Sequence, residues 1–136
     1  MLRKLGLVDL LAAIQSKVEN DTGIRCYDTV PINAASPLYY MEVIEKHPED
    51  TKIMFCEVYT IWIHAIAGQG ESSVEIYNLI DGLEESFAAD IELPEPFELV
   101  LQTGQGVQSI NTDESGKKRA VIVYDFKVSY GFKVKN

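Results

Sequence analysis

The middle of this 136-residue chain lacks positive charge: between residues 53 and 116 there is no Lys or Arg. That stretch carries twelve acids, while the flanks hold all 12 bases and nine acids. A block of net −12 therefore sits between ends of net +3, and the whole chain is at −9. A general nucleic-acid or anionic-membrane binder needs a dense positive face. This composition excludes that class and leaves an acidic middle that needs interpretation.

Other scarcities narrow the field further. No apolar run approaches the roughly 20 residues that span a bilayer. The longest, residues 58–67, contains His64 and reads as a strand. The N-terminus turns amphipathic by Asp9 without a cleavage site, so no leader is expected. The two cysteines, Cys26 and Cys56, are expected reduced and buried. The two histidines, His47 and His64, share no metal-ligand spacing with them, so no metal site is expected. His47 sits in a predicted turn as a solvated residue, and His64 reads as a hydrogen-bonded structural histidine. Nucleophile-elbow, P-loop, dinucleotide and EF-hand patterns are all missing. The tripeptides Gly68-Gln69-Gly70 and Gly104-Gln105-Gly106 read as strand ends and bulges. No catalytic residue, cofactor or metal is assigned, and the chain is read as a non-enzyme.

What is present is patterning. Hydrophobic residues make up 46% of the chain and charged ones 24%, the composition of a globular fold. At this length folding buries about two thirds of the chain's surface, enough for a single domain over 1–136. Leu7, Leu10, Leu11, Ile14 and Val18 form one helix stripe, stopped by Gly23. Ile76, Leu79, Ile80, Leu83 and Phe87 form a second within residues 72–88. There Ser72 and Glu75 have capping-box spacing. Gly82 costs that helix about 1 kcal/mol against Ala, so close packing is expected at it. Strands are predicted at 24–27, 38–45 and 51–67, with turns at 47–50 and 68–70. The 51–67 strand is apolar on both faces and is expected to be central and covered. Residues 97–101 and 107–111 form one strand bent at Gly104 and Gly106. A hairpin over 113–118 leads to the last strand, 119–134, whose length of about 50 Å suggests projection beyond the domain or pairing with another chain. The order α-β-β-β-α-β-β implies an α+β sandwich, with two helices on one face of a mostly antiparallel, possibly mixed sheet and a long C-terminal strand.

Five stretches carry a family resemblance: the first helix leading into Gly23-Ile24-Arg25-Cys26-Tyr27-Asp28; Pro37-Leu38-Tyr39-Tyr40; Trp62-Ile63-His64-Ala65; Ile76-Tyr77-Asn78-Leu79-Ile80-Asp81; and Tyr124-Asp125-Phe126-Lys127-Val128-Ser129-Tyr130-Gly131-Phe132. Their order and the total length resemble the small tail-completion proteins of bacteriophages and prophages, the minor tail proteins of the tail-terminator and head–tail joining group. No catalytic motif is part of the resemblance. It implies a ring of self-associated copies, commonly a hexamer, that caps the tail tube and connects it to the head. It also implies tail-tube and head-connector partners, assembly in the host bacterial cytoplasm, residence in the virion tail, and no membrane.

Two sets of residues follow as candidates. The acids Glu75, Asp81, Glu84, Glu85, Glu92 and Glu95 are expected to face a channel in which DNA passes without binding, because a negative wall repels phosphate. Their simpler alternative is a solvated helix face. Gly68, Gln69, Gly70, Asp113, Glu114, Lys117, Lys118, Lys133 and Lys135 are the candidate subunit or partner contacts. Two competing functions remain: a non-catalytic acidic binding or adaptor module of the immunity or nucleic-acid-mimic type, and an enzyme with a scattered site.

Overall fold

A computed structural model describes residues 2–134. Helix α1 (Leu7–Thr22) is followed by strands β1 (Cys26–Tyr27), β2 (Leu38–Pro48) and β3 (Met54–Gln69). Helix α2 (Val74–Ser86) then precedes β4 (Glu98–Thr112) and β5 (Lys117–Phe132). The five strands form one sheet in the order β1-β2-β3-β5-β4. β1 runs parallel to β2 and every other pair is antiparallel. The mixed α+β sandwich and its element order are as the sequence predicts.

Both helices form where their apolar stripes lie. Leu10, Ile14 and Val18 of α1 are fully buried, as are Ile76 and Leu83 of α2, with Leu79, Ile80 and Phe87 beside them. Each such side chain contributes about 1.5–3 kcal/mol of transfer free energy. They meet Tyr59, Ile61, Ile63, Ala65 and Ala67 of β3 and the even-numbered residues Ala120 to Val128 of β5. Gly23, at φ 73°, ends α1 and donates its N–H to the Glu19 carbonyl, a left-handed cap that glycine adopts without strain.

Several local expectations are corrected. The turn predicted at 47–50 begins later, because β2 continues through Pro48 opposite Glu57. Pro48 is tolerated there because β1 pairs only with the start of β2, leaving this part of β2 as a sheet edge. The capping box does not close. Glu75 reaches out of the helix instead, and its carboxylate accepts the backbone N–H of Gly68 at the end of β3. Gly82 is less crowded than expected: a Cβ there would lie 3.6 Å from the Tyr39 hydroxyl, an ordinary contact. β3 is central, but the helices cover only one of its faces. On the other, Tyr40 stacks on His64 with centroids 4.2 Å apart, and Trp62 lies beside them.

The long last strand does not project unpaired. β3 pairs along it from Phe132 to Lys117, and β4 from Ser129 to Lys118. All three strands are nearly equal in length, so β5 is enclosed by its own chain. The bend expected around Gly104 and Gly106 is real: the β4–β5 register shifts there and on either side, between Leu99 and Leu101 and between Val107 and Ser109.

The strap before α1 had no sequence signal. Leu5 is buried in the core, and its carbonyl accepts the Tyr59 hydroxyl at 2.9 Å. Lys4 Nζ reaches Glu57 Oε1 at 2.7 Å, and the Glu57 side chain is only 3% exposed. Leu2 lies over Gly131 so closely that a Cβ there would sit 2.6 Å from its Cδ1, and the leucine side chain would have to shift.

Candidate functional site

The predicted acids lie mainly on the outer surface of the helix layer. Asp81, Glu84 and Glu85 are exposed along α2, and Glu92 and Glu95 are exposed on the segment that follows it. None of the ion pairs among the described residues involves them. Glu75 differs, since its carboxylate is engaged by Gly68. Two open grooves bring further acids to this surface. One of about 500 Å³ runs between α1 and the following segment past Asp9, Asp21, Asp90 and Glu92. The other, about 830 Å³, separates the helices and is edged by Glu75 and Glu85. Lys17 lines both grooves but is held by Asp21 at 2.8 Å. Lys17 and the Ser86 hydroxyl hold the Asp21 carboxyl below its usual pKa. The layer thus presents carboxylates with little compensating charge.

The predicted contact residues divide between two ends of the sheet. Of Gly68, Gln69 and Gly70 at the end of β3, Gln69 meets the β4–β5 hairpin: it pairs with Lys117 and donates its side-chain amide to the Ser115 carbonyl at 2.6 Å. Asp113 organises that turn. Its Oδ1 accepts the Ser115 hydroxyl at 2.6 Å and the backbone N–H groups of Ser115 and Lys117, while Oδ2 receives Arg119 Nε at 2.9 Å. The Ser115 hydroxyl is the leading cause of a carboxyl pKa drawn down to about 2, with Arg119 and the two amides adding to it. Gly116, at φ 85°, makes the left-handed step this turn needs. Glu114, Lys117 and Lys118 flank it.

Lys133 lies at the opposite end of the sheet. Its N–H donates to the Ile53 carbonyl at 2.8 Å, and its ammonium stands over the Phe55 ring, 3.8 Å from Asp50. Lys135 is outside the described residues. Much of the predicted contact set therefore serves the chain's own turns.

The isolated titratable groups take structural positions. His64 Nε2 is 2.8 Å from Glu42 Oε1. His47 is not in a turn but in β2, between Glu45 and Glu49. Cys26 and Cys56 are free and buried, and burial pushes the Cys26 thiol up to about 12, far from a reactive thiolate. Among the described residues, no three His, Cys, Asp or Glu side chains converge as metal ligands. No described helix is long and apolar enough to cross a membrane.

The sequence reading missed the open edge of β4, although the signal was present. β4 contains no Lys, Arg or Pro, and Glu98 is its one charge. Edge strands ordinarily carry such residues to block pairing.

Comparisons with known proteins give the chain a family and its fold a counterpart. A family model described as "Putative tail termination protein" matches residues 1–136. No curated protein matches the sequence. A solved structure titled "Virion of native gene transfer agent (GTA) particle" contains a chain of similar fold, with a TM-score of 0.67 and 17% identity over 90% of this chain and 96% of that one.

Proposed function

This chain belongs to the phage tail-terminator family, a structural component of the virion tail, and from that premise we propose that copies of it close into a ring on the end of the tail tube. The ring joins the tube to the head connector and leaves a channel for DNA. The family match over residues 1–136 is the observation that carries this reading. The acidic helix layer supports the channel. A wall of uncompensated carboxylates repels phosphate, so DNA passes without the counterion release that would hold it. Asp81, Glu84 and Glu85 are the lumen-facing acids in this proposal, with Glu92 and Glu95 beside them. Glu75 contributes less, because its carboxylate already secures the end of β3.

The test is the triple variant Asp81→Lys, Glu84→Lys and Glu85→Lys in complete particles. The protein should locate by labelling to the head-proximal end of the tail, and the variant particles should form but deliver DNA poorly. Delivery unchanged by charge reversal would remove the acids from the channel. Absence of the protein from finished tails would overturn the terminator role itself.

A further inference from the structure

The sheet has two free edges that differ in character. Beyond Met41, the outer edge of β2 exposes Val43 and Ile44 but interleaves them with Glu42, Glu45, Lys46, His47 and Pro48, a charged and proline-blocked edge. The outer edge of β4 has bulges, but no proline and no charge beyond Glu98 at its start. It also has exposed apolar side chains, with Leu101 at 57% and Ile110 at 49%.

We propose that β4 of the free chain pairs with β4 of a second copy, antiparallel across a two-fold axis at Gly106. The faces of β4 exclude every axis that opposes residues of unlike parity, and among those left the side-chain-free Gly106 favours this register. Apart from its bulges β4 keeps two regular stretches, one from Leu101 to Gly104 and one from Ser109 to Thr112. Opposite residues in an antiparallel pair must point to the same face of a sheet. Leu101, Thr103, Ser109 and Asn111 lie opposite Lys127, Asp125, Val121 and Arg119, which places all four on the face without helices. Gln102 and Ile110 lie opposite Phe126 and Ala120, on the helix face. An axis at Gly106 sets Leu101 against Asn111, Gln102 against Ile110 and Thr103 against Ser109, each on its proper face. A shift of one residue would oppose residues on different faces.

The centre also suits close approach. Gly106 has no side chain, its φ is 86°, and a Cβ there would meet nothing within 4 Å. Glu98, the one charge of the strand, lies outside both ladders. A two-fold contact closes on itself and cannot extend around a ring. The proposal therefore concerns subunits before assembly, and its failure leaves the ring reading untouched.

The test is the association state of the purified full chain by sedimentation. The wild type should dimerise with rising concentration. Thr103→Lys with Ser109→Lys places ammonium groups opposite each other on both sides of the axis, and should stay monomeric with an unchanged circular dichroism spectrum. Thr103→Lys with Ser109→Glu makes those pairs opposite in sign and should restore the dimer. A wild type monomeric at every concentration overturns the proposal. So does a dimer that the paired lysines leave intact, or one that the lysine–glutamate pair fails to restore.

Discussion

β4 and β5 are two arms of one hairpin, nearly equal in length, yet they are placed very differently. β5 lies between β3 and β4, and its Ala120, Ile122, Tyr124, Phe126 and Val128 are buried against the helices. β4 lies outside it, and every residue from Gly104 to Thr112 is exposed. The difference follows from position in the sheet. A strand whose one face is packed under helices tends to alternate buried and more exposed side chains, and β5 does so along most of its length. An edge strand can take bulges, glycines and uncharged polar residues, and β4 has all three. The same hairpin thus supplies the core of the fold and its most available edge.

The largest expected effect breaks the buried arm. Phe126 is fully buried, beside Phe87 and Tyr124. Phe126→Ala should cost about 3–5 kcal/mol, through lost transfer free energy and the cavity left behind. Denaturant unfolding measures this, and a cost below about 1 kcal/mol would mean that the helix layer does not close over β5 as described.

A smaller effect lies in the turn that joins the arms. The Asp113 carboxyl titrates near 2 in the fold against 3.8 when free. A depressed carboxylate pKa stabilises the folded state above the unfolded pKa, and that stability is lost as pH falls through the folded value. Asp113→Ala should therefore lower the melting temperature at neutral pH. The gap to wild type should narrow as pH falls from about 4 and close only below about 2. A gap independent of pH would show that the carboxylate's charge is not what holds the turn.

The β4–β5 contrast also explains how much the sequence could reveal. Both helices, the order of strands and the bend in β4 were legible because each leaves a local trace: a 3.6-residue stripe, a period of two, or glycine within a strand. Partnership leaves no such trace. β5 was read as overlong because its alternation says nothing about what lies beside it, and β3 and β4 turn out to match its length. Glu75 has capping-box spacing, yet a distant N–H at Gly68 takes its carboxylate instead. Asp113, Lys117 and Lys133 stand as candidate contacts for other chains, and their bonds within this chain's own turns left no trace in composition. The Lys4–Glu57 pair joins positions far apart in sequence, and no periodicity connects them.

The smallest expected effect is on the exposed arm, and its size has the most to say about the surface. Leu101 projects from the sheet face that has no helices, near Val58 and Thr103, and is 57% exposed. In an isolated chain Leu101→Ala should change stability by no more than about 0.5 kcal/mol, as for other surface substitutions. The two-fold pairing of β4 sets Leu101 only beside Asn111 of the second copy, so the cost should rise by no more than about 1 kcal/mol as concentration rises. If the cost instead grows with concentration toward the 2–5 kcal/mol of a buried leucine, another copy must be lying across this face rather than along the edge. A measurement at two protein concentrations separates the cases, because an interface contributes to stability by mass action and a solvated leucine does not.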